Sequence, residues 1–163
     1  MHEIEVSRER PNLGHRNAAA LIKKAAEAAL AAEGIVQPCL ISVMLTDEDG
    51  IHAVNREFRC VDSPTDVLSF PLNELTPGAF DPDICEADPD AGVLMLGDMM
   101  ISLPACERQG EEFGHGFSHE LLYLTVLSVL HLLGYDHLDE GEQKRRMRER
   151  EKIIMAALEH GNR

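Results

Sequence analysis

A long apolar segment that ends in a glycine turn between two histidines constrains the fold of this chain more than any other feature. Residues 121–133 are mostly apolar, and the few polar residues among them favour a buried helix over a membrane span. Gly134 suits the left-handed turn that ends a helix, so the chain is expected to fold back there. The sequence therefore predicts a buried helix whose C-terminal turn brings His131 and His137 toward one point.

The spacing of these histidines is that of a metal site with one ligand missing. Residues four apart lie on one helix face, so a ligand at position 127 would lie one turn below His131. Three imidazoles and one open position form the ligand set of a catalytic zinc site. Position 127 is Leu127, whose side chain offers no lone pair. The pattern indicates His131 and His137 as metal ligands; the alternative is that both are ordinary hydrogen-bonded histidines.

Three sequence blocks, in the same order, resemble the YbeY family of bacterial endoribonucleases that mature ribosomal RNA. Residues 123–137 read YLTVLSVLHLLGYDH, residues 55–71 read NREFRCVDSPTDVLSFP, and residues 96–102 read LGDMMIS. The family signature is His-x3-His-x5-His ending in a Gly-Tyr-Asp-His turn, so the resemblance aligns Leu127 with the first metal histidine. It implies Zn²⁺ as the cofactor, held by His131 and His137, with weak or absent binding in this chain.

The same resemblance implies a function and a set of partners. It implies a metal-dependent single-strand endoribonuclease, acting in rRNA 3′-end maturation and ribosome quality control, whose activity Leu127 impairs. Arg59 matches an arginine that faces the metal cleft in the family, and a guanidinium binds phosphate with two parallel hydrogen bonds. The alternative for Arg59 is a surface salt bridge with Asp62 or Asp66. The implied partners are small-subunit rRNA, small-subunit ribosomal proteins and an assembly GTPase.

Two other functions stay open. A non-catalytic ribosome-assembly factor keeps the fold without the metal chemistry, and the missing ligand favours it. A metallohydrolase of another substrate, such as a peptide, is the second alternative, although the H-E-x2-H motif of zinc proteases is absent around His131. His115 and His119 stand upstream, but His119 lies about 120° around an ideal helix from His131 and is not expected to replace position 127.

The chain is acidic overall, and its charged residues are unevenly distributed along the sequence. The net charge is −14, whereas nucleic-acid affinity comes largely from cations that contact phosphate. Cations concentrate near the C-terminus, at Lys144, Arg145, Arg146, Arg148, Arg150 and Lys152. They form either a local basic surface or a solvated helix face with i,i+4 pairs, Glu140–Lys144 and Glu142–Arg146.

The order of elements predicts an α+β fold. We expect one domain over residues 1–163, with one mixed β-sheet of about four strands covered by about five helices, and the metal cleft at a central helix and its following turn. Asp47 and Ser118 are expected to cap helices. Residues 72–92, with three prolines, six acids and no Lys or Arg, predict a mobile flap or disorder.

The location of the protein is predicted from its N-terminus and its cysteines. The first residues lack the basic-then-apolar form of a secretion signal. The four cysteines show no C-x2-C pair, which is typical of reduced thiols. A cytoplasmic protein without a membrane partner is therefore expected.

Overall fold

The chain folds as predicted into α+β structure. A computed structural model describes residues 2–136 and 141–160, so His137 lies outside the described residues. The strands are β1 (Glu3–Arg8), β2 (Cys39–Thr46), β3 (Val67–Pro71), β4 (Glu86–Asp88) and β5 (Val93–Ser102). The helices are α1 (Ala18–Ala32), α2 (Glu48–Arg59), α3 (Leu103–Glu112), α4 (Gly116–Leu132) and α5 (Glu142–His160).

The five strands form one mixed sheet in the order β1-β2-β5-β3. The pairs β1–β2 and β2–β5 are parallel, while β3 runs antiparallel to β5. The short strand β4 also pairs antiparallel with β5, at Glu86–Met95, and is one strand more than the sequence predicted. Apolar residues alternate along β2, where Cys39, Ile41 and Val43 are buried, as a strand with one core face requires.

Helix α4 is the central helix. It packs against α1, α3, α5 and β3 and is buried on most of its circumference. Leu121, Leu124 and Leu130 are fully or almost fully buried. Among the helices of the described residues, none is both long and apolar enough to cross a membrane. Because α4 is buried on most of its circumference, the apolar segment at residues 121–133 is the centre of the hydrophobic core.

One of the two predicted helix caps is correct. The side chain of Asp47 accepts a hydrogen bond from the backbone N–H of Gly50 at 2.9 Å, which begins α2. Ser118 was predicted to cap α4, but α4 begins at Gly116 and Ser118 lies inside its first turn. The prediction was wrong because Gly116, at φ +85°, and Gly114, at φ +77°, make the turn that starts the helix.

Residues 72–92 are folded onto the sheet. Asn73 is buried; its side chain donates to the Met95 carbonyl and accepts from the Glu86 backbone N–H, at 2.9 and 2.8 Å. Leu75 belongs to the core, and a 3₁₀ turn at Pro82–Ile84 precedes β4. The expectation of a flap or disorder is therefore replaced by a segment that is anchored at both ends.

Candidate active site

A cleft with a volume of about 670 Å³ brings the sequence-predicted residues together. The end of α2, β3, the start of segment 72–92, and the last turns of α4 with the turn that follows them line it. Arg59 and His131 both face this cleft, and Leu127 lines it one turn before His131. Asp136 is also at its wall.

The ring of His131 is oriented by the turn that follows its helix. Its Nδ1 lies 3.0 Å from the carbonyl oxygen of Tyr135, which accepts a hydrogen bond only when Nδ1 carries a proton. A neutral ring in this tautomer has its lone pair on Nε2. A backbone carbonyl on the second ring nitrogen is the usual support of a histidine that ligates a metal.

The turn at Gly134 requires glycine. Its φ is +101°, and a Cβ at this position would lie 2.1 Å from the carbonyl oxygen of Leu75. The backbone of residues 72–92 therefore packs directly onto the turn that follows α4. This contact closes one side of the cleft, since Leu75 and Gly134 both line it.

A Gly134→Ala substitution is expected to destabilise the protein by about 3 kcal/mol or more. Strained φ accounts for roughly 1–2 kcal/mol, and the clash with backbone atoms accounts for the rest. Urea unfolding measures the difference. Gly114→Ala is the matched control, because its φ is +77° but nothing lies within 4 Å of an added Cβ. Equal losses in the two variants would contradict a specific contact between Gly134 and Leu75.

A hydrogen-bond network of Tyr135, Glu33 and Arg150 stabilises the turn that follows α4. The sequence analysis did not predict this network. The hydroxyl of Tyr135 donates to Glu33, and Arg150 Nε donates to the other oxygen of that carboxylate at 2.7 Å. The Glu33 side chain is only 7% exposed, so the ion pair is largely shielded from water. Burial, followed by the hydrogen bond to Glu33, raises the pKa of Tyr135 to about 12. No sequence signal links Glu33 to Tyr135, because 102 positions separate them.

Arg59 extends from the last turn of α2 and is exposed. The helix ends at Cys60, whose φ of +59° redirects the chain. Within residues 2–136 and 141–160, Arg59 makes no ion pair: Asp62 lies 2.8 Å from His52, and Asp66 accepts from the backbone N–H of Val67 at 2.7 Å. The predicted alternative, a salt bridge from Arg59 to one of these aspartates, is therefore not formed in the described structure.

Buried polar contacts connect the walls of the cleft. The hydroxyl oxygens of Ser69 on β3 and Ser128 on α4 are 2.6 Å apart, and Ser128 is fully buried. The Asn55 side chain donates to the Ser63 carbonyl at 2.9 Å, which fixes the loop after α2. The Ser69–Ser128 contact joins β3 to α4 and so positions β3 beside His131.

The described residues do not complete a metal site. Across residues 2–136 and 141–160, no group of three or more His, Cys, Asp or Glu side chains could hold a metal ion. Position 127 contributes only the half-buried side chain of Leu127 to this part of the cleft. The orientation of His131 fits a metal ligand, whereas a three-histidine donor set does not fit this sequence.

The fold and the cleft together define a class of protein. One cleft of an α+β fold contains the oriented imidazole of His131 and the guanidinium of Arg59, which makes no ion pair in the described structure. These two groups suit the hydrolysis of phosphate esters. The family model of endoribonuclease YbeY matches residues 3–159. The chain belongs to this family.

Individual relatives agree with the family match. The chain is 44% identical over 141 residues to endoribonuclease YbeY of Clostridium kluyveri, covering 83% of this chain and 85% of the relative. It is 43% identical over 137 residues to the Shouchella clausii protein of the same name, covering 83% of each chain. The solution structure of TM1509 from Thermotoga maritima has a TM-score of 0.56 at 25% identity, covering 97% of this chain and 93% of that one.

Proposed function

We propose that the chain has the architecture of a metal-dependent single-strand endoribonuclease of rRNA 3′-end maturation and ribosome quality control, and that Leu127 impairs its activity. The observation that carries the proposal is that Arg59 and His131 face one cleft in a member of the endoribonuclease YbeY family. Both are exposed enough to meet a strand lying in that cleft.

The metal in this proposal is Zn²⁺, held by His131 and His137. When bound, such an ion acts as a Lewis acid toward water and phosphate. The Tyr135 carbonyl keeps the lone pair of neutral His131 on Nε2, which supports its role as a ligand. Two imidazoles bind a metal more weakly than three, so weak or absent zinc is expected while Leu127 is present.

Arg59 supplies the phosphate-binding group. Its guanidinium is planar and always charged, so it can hold two phosphate oxygens through parallel hydrogen bonds. Charge on those oxygens grows as the phosphodiester bond breaks, and Arg59 stabilises it. A single strand is the expected substrate, because an unpaired backbone bends into a cleft more readily than a duplex does.

Two alternatives compete with this proposal. Leu127 favours a non-catalytic ribosome-assembly factor, because its side chain lines the cleft but cannot bind a metal. A hydrolase of peptides is opposed by the absence of H-E-x2-H around His131. The main proposal and the assembly-factor alternative share the same location and partners. The location is cytoplasmic, and the partners are small-subunit rRNA, small-subunit ribosomal proteins and an assembly GTPase.

Substrate class is tested by incubating the protein and its Leu127→His variant with labelled single-stranded RNA, labelled duplex RNA and a peptide panel. Chelator-sensitive cleavage of the single strand by the variant, with little duplex or peptide cleavage, supports the nuclease. Peptide cleavage without RNA cleavage would favour the other hydrolase. An inert variant that still binds RNA would favour the assembly factor.

A further inference from the structure

A depression on α5 has a basic lining, although the chain as a whole is acidic. Its volume is about 380 Å³. Four cations and one carboxylate line it with a glycine: Lys144, Arg145, Arg148, Lys152, Glu149 and Gly141. Arg145, Arg148 and Lys152 are exposed and recur on one side of the helix, at intervals of three and four residues. We call these three residues the α5 cation stripe.

The three cations of the α5 cation stripe make no ion pair in the part of the chain that the structure describes, although Glu149 lines the same depression. Of the two predicted i,i+4 pairs, Glu142–Arg146 is not formed there, and Glu140 of the pair Glu140–Lys144 lies outside the described residues. Other arginines are compensated: Arg10 pairs with Asp47 at 2.8 Å, and Arg150 pairs with Glu33. A solvated face of i,i+4 pairs therefore does not describe the stripe.

Neighbouring residues on α4 lead from the cleft toward the stripe. Tyr123 on α4 borders a small depression together with Lys144, Arg148 and Glu151, and its hydroxyl donates to Glu151 at 3.3 Å. Leu127, one turn or about 6 Å further along the same side of α4, lines the cleft. A strand that leaves the cleft past Tyr123 would meet the stripe next.

We propose that Arg145, Arg148 and Lys152 bind the phosphate backbone of single-stranded RNA that extends beyond the cleft. The inference rests on the proposed function and deepens it. Exposed cations contact phosphates without reading bases, so the stripe adds affinity and register but no sequence preference. Cationic grooves that follow a backbone are the common means of binding single strands. The stripe thus supplies part of the positive surface that a chain of net charge −14 otherwise lacks.

The test replaces the stripe in the chain as it stands, with Leu127 present, so that cleavage does not disturb binding. Fluorescence anisotropy measures the affinity of labelled RNA of about 16 nucleotides and of about 4 nucleotides. The triple variant Arg145→Gln, Arg148→Gln, Lys152→Gln is expected to bind the longer RNA on the order of tenfold more weakly at low salt. The slope of log affinity against log salt should fall by about 2, because three phosphate contacts are lost. The short RNA should lose much less.

The matched control removes the same charge elsewhere. Arg16→Gln, Lys23→Gln, Arg108→Gln changes the net charge equally but leaves α5 and the Asp47 cap of α2 intact, and circular dichroism checks that both variants fold. An equal loss in the two variants, an equal loss for both RNA lengths, or no RNA binding by the parent protein would overturn the proposal. The proposal would also be overturned if the triple variant bound anionic phosphatidylserine vesicles more weakly but bound RNA with unchanged affinity. Failure of the proposed nuclease function is separate, since it appears as absent cleavage by Leu127→His with RNA binding intact.

Discussion

The Leu127→His variant is expected to hold stoichiometric zinc and to cleave single-stranded RNA, whereas the parent chain does neither to a comparable extent. Position 127 lines the cleft one turn before His131, so the new imidazole joins His131 on the same wall. Loss of a group that merely supports a ligand costs about 10–100-fold in metal affinity, and a restored ligand should gain at least as much. Leu127 is half-buried, so a polar ring at this position keeps contact with solvent.

Zinc content by elemental analysis and cleavage of a labelled strand measure the two effects on proteins purified in the same way. Leu127→Gln separates polarity from coordination, because its amide is a poor zinc ligand. Adding His131→Ala to Leu127→His should abolish both gains. If the parent chain and Leu127→His bind zinc and cut RNA equally, a different ligand completes the site. If neither does, the assembly-factor alternative gains.

In the Leu127→His background, Arg59→Lys is expected to slow RNA cleavage by about 10²–10³-fold. Removal of one preorganised donor to a developing oxyanion has this magnitude in other enzymes. Lysine keeps the charge of Arg59 but not the planar fork that binds two oxygens, so the rate should fall more than the affinity for RNA. Protein stability should hardly change, because Arg59 is exposed and makes no ion pair within the described residues.

Single-turnover cleavage at saturating protein separates the chemical step from binding, and anisotropy gives the affinity. Arg56→Lys is the matched control: Arg56 is exposed on the same helix but does not line the cleft. Unchanged cleavage by Arg59→Lys would remove Arg59 from the chemistry. A comparable loss in Arg56→Lys would indicate a general effect of replacing an arginine near the end of α2, not a specific contact between Arg59 and phosphate.

Local patterns predicted the elements well because they depend on neighbours in the chain. The apolar segment at residues 121–133 predicted α4, and Asp47 caps α2 as its side-chain chemistry requires. The features that the sequence did not predict are short segments whose structure depends on residues elsewhere in the chain. Strand β4 covers only Glu86–Asp88 and pairs with Val93–Met95, the part of β5 that β3 does not reach. The anchoring of Asn73 depends on Met95 and Glu86, so its own neighbours give no sign of it.

The sequence by itself determined the spacing of the candidate site along one helix. Leu127 and His131 are one turn apart in any α-helix, and Gly134 can adopt the positive φ that ends it, so the missing ligand was visible without a structure. The assignments of His131, His137 and Arg59 as site residues remain predictions.

Only the tertiary structure decided which distant residues meet this helix. Arg59 reaches the cleft of His131 because α2, which carries Arg59, packs on β3 and β5, and β3 packs on α4. Glu33 and Arg150 hold Tyr135 because α1, α4 and α5 pack together. The physical reason is that hydrogen bonds inside one helix depend on local spacing, whereas buried contacts between elements depend on how the whole core packs.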